Sequence, residues 1–301
     1  MCPYVPMCLC GEKEFGEFIH WNDSLILRLM KKILLLTALF AIHLSNAATV
    51  DTISIYSNAM HKAFNCVVIK PDSYKKKSNK FPVVYLLHGY SGKYSDWIRK
   101  VPEIKIDADQ LQILIVCPDG GFSSWYFDSP IDSSMRYETH IALEVPAYID
   151  KHYRTISRRD ARSITGLSMG GHGALFLGFR HADVFGACGS MSGGVDLNDS
   201  KGKFDVMKRL GDTIQHADYW QKYSVLNVIE DRPKDTLAII FDCGVDDFFY
   251  HGNKSLHKKM LELKIQHDYI ERPGQHDWNY WGNAVQYQLL FFRRYFNRMK
   301  S

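Results

Sequence analysis

Residues 164–178 read ITGLSMGGHGALFLG, and this stretch decides how the chain folds. Within it, Gly166-Leu167-Ser168-Met169-Gly170 fits the pattern G-x-S-x-G, between an apolar run typical of a strand and a run typical of a helix. In that context the pattern predicts a sharp turn that holds the serine in a strained backbone conformation. Glycines two residues before and after the serine leave room for the turn. We therefore expect Ser168 to be a nucleophile, exposed at the N-terminus of a helix.

Strand patterns and helical patterns alternate on both sides of this turn. Strands are predicted in the segments TISIYS, FNCVVIKP, FPVVYLLHG, LQILIVCPDG, RSITGLS, VFGACGSMSGG, DTLAIIFDCG and HDYIERPG. The first two are expected to form an antiparallel pair, whereas the fully apolar runs are typical of central parallel strands covered by helices. The pattern predicts one α/β domain over residues 48–301, built as a three-layer sandwich around a mostly parallel central sheet.

Two segments interrupt the regular alternation. Residues 137–153 have helical spacing, and Pro146 within them is expected to kink the helix. Residues 195–235 are charged and only weakly periodic, and they join two predicted strands. An insertion at this point is expected to overhang the carboxyl edge of the sheet, where open α/β folds bind ligands. Its polarity argues against the large apolar lid of a lipase.

The N-terminal region has the pattern of an export signal. From Met30, two lysines precede a short apolar run, and small residues follow up to Ala47. This pattern predicts a signal peptide over residues 30–47, with residues 1–29 as an upstream extension foreign to the native protein. The apolar run is too short to span a bilayer comfortably, so no stable membrane anchor is expected. The predicted location of the mature protein is periplasmic or extracellular.

Charge and cysteine content exclude several classes of function. The net charge of the 301-residue chain is only +4, without a long basic run, so no nucleic-acid partner is expected. Four of the seven cysteines, namely Cys66, Cys117, Cys188 and Cys243, lie in or just after apolar runs and are expected to be buried thiols. A bridge between Cys188 and Cys243 stays open. No cysteine and histidine spacing is typical of a zinc site, and neither a metal nor a cofactor is expected.

A serine nucleophile requires a base, and the base requires an acid to hold it. In a strand–serine–helix context these partners follow in the order serine, acid, histidine. His276 fits the base, because no other histidine lies between the last predicted strand and the C-terminus. For the acid, Asp242 still lies within a predicted strand, while Asp246 and Asp247 follow it. Spacing does not decide between Asp246 and Asp247.

The remaining candidates are backbone amides and aromatic rings near the turn. Two N–H groups are needed to bind an oxyanion, and those of Met169 and of Tyr90, in the segment LLHGYSG, are the candidates. His88 in the same segment is expected to shape the loop rather than to act as a second catalytic histidine. Four aromatic residues close in sequence to the site are predicted to offer flat faces to a substrate ring. They are Trp125, Tyr126, Trp278 and Trp281.

Four motifs resemble one family. VVYLLHGYSG, GLSMGGHGALFLGFRHADVFGA, DCGVDDFF and PGQHDWNYW are similar to segments of the esterase D-like family of α/β-hydrolases, over about residues 50–298. That family includes S-formylglutathione hydrolases, feruloyl and acetylxylan esterases of carbohydrate esterase family 1, and mycolyltransferases. The resemblance implies an α/β-hydrolase fold, with Ser168 as nucleophile, His276 as base and Asp247 as acid. It also implies that the amides of Tyr90 and Met169 form the oxyanion hole.

These observations favour a secreted serine esterase that acts on short-chain acyl or hydroxycinnamoyl esters, with polysaccharide-linked esters among the candidates. The alternatives are a thioesterase similar to S-formylglutathione hydrolase, a sugar acyltransferase, and a non-catalytic binding protein of the hydrolase fold. S-formylglutathione hydrolases are cytosolic, and their motif is similar but has SG where this chain has His88-Gly89. Both differences weaken the first alternative. The sequence leaves the oligomeric state open.

Overall fold

The computed structural model describes residues 48–231 and 237–298, together with residues 27, 28 and 30–32. Contacts divide the chain into residues 1–46 and residues 47–301, and the fold described below is that of the second unit. The predicted extension and nearly all of the predicted signal peptide, with its cleavage point, lie outside the described residues. Both therefore stay predictions.

The second unit is built on one sheet of eight strands among the residues described. In chain order the strands are β1 (Thr49–Ser57), β2 (Lys62–Lys70), β3 (Val83–Leu87), β4 (Leu114–Pro118), β5 (Arg162–Gly166), β6 (Ala187–Met191), β7 (Ala238–Gly244) and β8 (Asp268–Arg272). Their order across the sheet is β1-β2-β4-β3-β5-β6-β7-β8. The pairs β1–β2 and β2–β4 are antiparallel, and every other pair is parallel. The predicted strands, the opening antiparallel pair and the mostly parallel sheet are confirmed.

Helices cover both faces of this sheet. They are α1 (Asp96–Lys100), α2 (Ile104–Leu111), α3 (Val145–His152), α4 (Met169–Arg180), α5 (Val206–Leu210), α6 (Ala217–Tyr223), α7 (Val225–Asp231), α8 (Tyr250–Glu262) and α9 (Trp278–Arg298). None of the helices in the described ranges combines the length and the apolarity that a bilayer span requires. The helix predicted over residues 137–153 is confirmed, and the irregularity expected near Pro146 is a π-helical turn over His140–Glu144.

Successive side chains of the central strands pack alternately against the helices on one face of the sheet and those on the other. On β3, Val83, Tyr85 and Leu87 pack with α3, α4 and α8, whereas Val84 and Leu86 pack with α1, α2 and α9. All five residues of β3 are fully buried, because helices take up both faces of the strand. The predicted three-layer sandwich is therefore confirmed.

The cysteines of this unit are packing residues. Cys66, Cys117, Cys188 and Cys243 are buried, and Cys188 and Cys243 do not bridge. Although β6 and β7 are neighbours, Cys188 lies opposite Ile239, four residues along β7 from Cys243. Burial also raises the pKa of the Cys117 thiol well above its ordinary value, which is typical of an inert structural thiol.

Candidate active site

Ser168 lies in the sharp turn between β5 and α4. Its backbone has φ 55° and ψ −118°, a conformation that few non-glycine residues adopt. The turn needs both flanking glycines: a Cβ added to Gly166 would lie 2.7 Å from the backbone of Gly170, and one added to Gly170 would lie 2.5 Å from the carbonyl oxygen of His88. The strained turn expected from G-x-S-x-G is confirmed, and its physical reason is the close approach of β3 and β5 to the first turn of α4.

Ser168, His276 and Asp247 form a continuous chain of hydrogen bonds. His276 Nε2 lies 2.8 Å from Ser168 Oγ, and His276 Nδ1 lies 2.8 Å from Asp247 Oδ2. The geometry fits a neutral imidazole in which Nδ1–H donates to the carboxylate and Nε2 accepts from the serine hydroxyl. An arrangement of this kind lets a histidine take up the proton of a serine hydroxyl as the hydroxyl attacks.

The structure distinguishes the three aspartates that lie within β7 or just after it. Asp247 is buried, and besides His276 its carboxylate accepts a hydrogen bond from the Phe249 amide at 2.8 Å. Asp246 is exposed, and among the described residues its side chain makes no hydrogen bond or ion pair with His276. Asp242 is fully buried behind the site, where its Oδ2 accepts from Gln288 Nε2 at 2.7 Å, and burial raises its pKa to about 6. Asp242 therefore points into a helix layer, as its position within the strand predicts.

The two predicted oxyanion donors lie on opposite sides of Ser168. Met169 is the first residue of α4, and Tyr90 follows β3 in the loop beside the nucleophile. A Cβ added to Gly89 would lie only 3.4 Å from the Ser168 Cβ, so the Tyr90 loop approaches the serine closely. Among the described residues, neither the Tyr90 amide nor the Met169 amide donates a hydrogen bond to a protein acceptor. Both are therefore available to a ligand oxygen.

His88 holds this loop in place. It is almost fully buried, its Nε2 accepts from the Gly120 amide at 2.8 Å, and its Nδ1 lies 2.8 Å from the carbonyl oxygen of Gly89. Both ring nitrogens are thus committed to backbone groups. The prediction that His88 shapes the loop is confirmed.

Trp125 and Tyr126 do not reach the site, and this part of the prediction is wrong. Both are buried with at most 1 % of their surface exposed, and both have a positive φ, 55° and 62°. The positive φ of these two residues directs their rings beneath the site instead of into it. Trp125 packs edge-on against His172 of α4, and the Tyr126 hydroxyl donates to the His88 carbonyl oxygen at 2.8 Å. The two rings support the loop and the helix that hold the nucleophile.

A cleft of about 300 Å³ opens above Ser168 and His276. Trp278 and Trp281 line it, and the Trp281 ring meets the His276 ring edge-on with centroids 4.8 Å apart. Phe248 packs on His276 from another side, at 4.2 Å between ring centroids. The structure thus brings the second predicted aromatic pair, but not the first, to the cleft.

The segment over residues 195–235 contributes an aromatic wall that its composition hides. It folds into α5, α6, α7 and a short helical turn over Leu197–Ser200, and its Phe204 lines the cleft. The Phe204 ring lies near Tyr90 and Phe248, at 5.5 Å and 6.1 Å between centroids, and the Trp125 indole N–H donates to the Phe204 carbonyl oxygen at 2.9 Å. The expected overhang at the carboxyl edge is confirmed, but the part that faces the cleft is apolar. Sequence reasoning missed both Phe204 and Phe248, although Phe248 directly follows Asp247.

Comparison with known proteins agrees with this geometry. The family described as "Putative esterase" matches residues 57–292, a range that includes every residue of the cleft. The chain belongs to this family. It is a carboxylic ester hydrolase with the α/β-hydrolase fold.

Three similar proteins show which kinds of enzyme this esterase resembles. An acetyl esterase of Caldicellulosiruptor saccharolyticus is 25% identical over 255 residues, which cover 77% of this chain and 94% of the relative. The solved structure of a ferulic acid esterase is 30% identical, with a TM-score of 0.72, and the match covers 84% of this chain and 100% of that structure. The diacylglycerol acyltransferase/mycolyltransferase Ag85A of Mycobacterium leprae is 27% identical, with 68% of this chain and 72% of the relative covered.

Proposed function

We propose that this esterase hydrolyses short-chain acyl or hydroxycinnamoyl esters through a covalent acyl-enzyme on Ser168. The observation that carries the proposal is the hydrogen-bonded chain Ser168–His276–Asp247, with 2.8 Å at each of its two junctions. Burial of Asp247 and its second hydrogen bond, from the Phe249 amide, fix the carboxylate in the orientation that holds the histidine.

The groups of the site act in a fixed order in the proposed reaction. His276 Nε2 takes the proton as Ser168 Oγ bonds to the acyl carbon, and the amides of Tyr90 and Met169 stabilise the negative charge on the former carbonyl oxygen. The C–O bond to the alcohol then breaks, and His276 returns the proton to the leaving oxygen. Water repeats the sequence on the acyl-enzyme, which releases the acid and restores Ser168.

The cleft supports short or flat acyl groups. Its volume of about 300 Å³ accommodates an acetyl or a phenylpropenoyl group, and aromatic rings form part of its walls. The names of the relatives point the same way, since one is an acetyl esterase and one is a ferulic acid esterase. Polysaccharide-linked esters are included in the proposal because the cleft opens to solvent.

Export from the cytoplasm is part of the proposal and rests on the signal pattern over residues 30–47. Edman or mass-spectrometric sequencing of protein recovered outside the cytoplasm should find an N-terminus near Ala48. Recovery of a mature protein that still carries residues 1–29 would refute both the signal and the assignment of the upstream extension.

The test of the proposed mechanism is the replacement Ser168→Ala. A fluorophosphonate probe should label the unaltered protein and leave the variant unlabelled, and turnover of nitrophenyl acetate should fall by about 10⁶-fold. A panel of nitrophenyl esters of increasing chain length, methyl hydroxycinnamates and acetylated xylan then ranks the substrates. Labelling that survives the substitution would show a different nucleophile, and a preference for long acyl chains would refute the proposed substrate class.

Acyl transfer to a sugar hydroxyl is the second candidate, favoured by the similarity to the mycobacterial acyltransferase. In that reaction the sugar hydroxyl replaces water in the second half of the cycle, and everything before it is unchanged. Product analysis with a soluble sugar present at high concentration distinguishes the two. Acylated sugar as the main product would favour transfer, and free acid would favour hydrolysis.

A further inference from the structure

Asp96 is a carboxylate in the wall of the catalytic cleft that the proposed mechanism does not use. It is the first residue of α1 and lines the cleft together with Gly92, Trp278 and Trp281. One of its oxygens, Oδ2, accepts a hydrogen bond from the Lys93 amide at 2.8 Å. The other oxygen, Oδ1, has no hydrogen-bond partner in the part of the protein that the structure describes.

The charge of Asp96 has no counter-charge in the cleft. No ion pair of the described residues includes Asp96, although Lys93 lies three residues before it. None of the cleft-lining residues that the structure describes is a lysine or an arginine. Besides Asp96, the ionisable side chains in the described lining are those of Tyr90 and of His276, the base of the proposed mechanism. An anionic group bound beside Asp96 therefore meets a like charge, and the aromatic walls screen this repulsion less than bulk water does.

The surroundings of Asp96 fit a neutral ring that carries hydroxyl groups. The Trp278 and Trp281 rings, 5.5 Å apart between centroids and nearly perpendicular, line the same cleft as the Asp96 carboxylate, whose Oδ1 is unpartnered among the described residues. A hydroxyl donor can satisfy that oxygen, whereas a second carboxylate cannot. Aromatic surface beside a hydrogen-bond acceptor is the chemistry that recognises sugar rings and phenols.

We propose that Asp96 determines substrate class by electrostatic selection: it admits uncharged, hydroxyl-bearing esters and rejects anionic ones. This inference rests on the proposed function, because it assigns a selective role within the same cleft.

The experiment compares Asp96→Asn with the unaltered protein on matched pairs of esters. The Asn side chain keeps an acceptor for the Lys93 amide, removes the charge, and places an NH₂ donor where the unpartnered oxygen was, so a hydroxyl-bearing ester should lose an acceptor while an anionic ester loses a repulsive charge. Because the cleft takes both halves of an ester, one pair places the charge on the acyl side (nitrophenyl hemisuccinate against nitrophenyl pentanoate). A second pair places it on the alcohol side (para-acetoxybenzoate against para-acetoxybenzamide). The quantity measured is the ratio of kcat/KM for the anionic ester to kcat/KM for its neutral partner.

For at least one pair, this ratio should rise by about three- to tenfold in Asp96→Asn at low ionic strength, and the difference between the two proteins should shrink in 1 M salt. The rise should come mainly through KM. Asp246→Asn is the matched control, since it removes one exposed negative charge that does not line the cleft, and it should leave both ratios unchanged.

Ratios that are the same in Asp96→Asn and the unaltered protein for both pairs would overturn the inference, and so would an equal shift in Asp246→Asn. The proposed function has a separate readout, because hydrolysis of nitrophenyl pentanoate must depend on Ser168 whatever Asp96 does. If the neutral esters are hydrolysed in a Ser168-dependent way while the ratios stay fixed, only the role of Asp96 fails. If Ser168→Ala leaves that hydrolysis intact, the proposed function fails.

Discussion

Asp247→Asn is the substitution whose effect on activity follows most directly from the hydrogen bonds of the site. The carboxylate has two oxygens with two separate tasks: Oδ2 accepts from His276 Nδ1 and Oδ1 accepts from the Phe249 amide, each at 2.8 Å. An asparagine has only one oxygen to offer. If that oxygen stays with Phe249, the NH₂ group faces His276 and forces the imidazole into the tautomer that protonates Nε2, which then cannot accept the Ser168 proton. If the oxygen faces His276, two N–H groups meet at Phe249.

Either arrangement removes the base or misplaces it, so kcat for nitrophenyl acetate should fall by about 10³- to 10⁴-fold, equivalent to about 4–5.5 kcal/mol in the activation free energy. The control is Asp246→Asn, which changes the same residue type one position earlier at an exposed site and should retain nearly full activity. Thermal unfolding of both variants shows whether the fold is intact. The reasoning is refuted if a folded Asp247→Asn keeps more than a tenth of the activity, or if Asp246→Asn is the more damaging of the two.

Four other substitutions and one pH effect test the remaining structural arguments. Gly170→Ala should lower the free energy of unfolding by about 1–3 kcal/mol in urea titrations, because the new Cβ would lie 2.5 Å from the backbone oxygen of His88, which cannot move aside. Trp125→Ala should lower the free energy of unfolding by about 3–5 kcal/mol, because a fully buried ring is lost. Trp278→Ala removes a half-buried ring that packs on Trp97 and Trp281, so it should cost less stability than Trp125→Ala, and it should lower kcat/KM for methyl hydroxycinnamate about tenfold more than for nitrophenyl acetate. Burial lowers the pKa of His172 to about 4 from an ordinary value of 6.5, so the unfolded chain binds more protons in this window. The stability that His172 contributes is thus complete above about pH 6.5, and about 3 kcal/mol of it is lost as the pH falls to 4. In a His172→Gln variant, the free energy of unfolding should fall by less over the same pH range.

The parts of the site that follow chain order could be predicted from the sequence. The nucleophile could be located because its turn leaves no room for side chains at the flanking positions, so glycines are found there. His276 could be located because it follows the last strand. The layers were predictable as well, because strands buried on both faces need apolar residues at every position, as in Val83–Leu87. These features depend on local residue type and on spacing, both of which a sequence displays directly.

The direction in which a loop side chain points could not be predicted in this way. Trp125 and Tyr126 lie close to a strand end in sequence, yet a positive φ at both residues turns their rings into the core. Phe204 and Asp205 also have a positive φ, 52° and 55°, and the Phe204 ring enters the cleft from a segment rich in charged residues. Hydrophobic patterning carries no information about such backbone turns, which are set by contacts with distant parts of the chain.

The position of His276 after β8 has a consequence for how the protein becomes active. Among the described residues, β8 pairs only with β7 and forms one edge of the sheet, whereas the turn of Ser168 is held by β3, β5 and β6 at the centre. His276 follows Ser168 by 108 residues, so during synthesis the nucleophile is made well before the proposed base. Covalent labelling by a fluorophosphonate, which depends on that base, should therefore report whether β8 has docked. A chain whose centre has formed but whose β8 edge has not would lack the base and could not cleave esters.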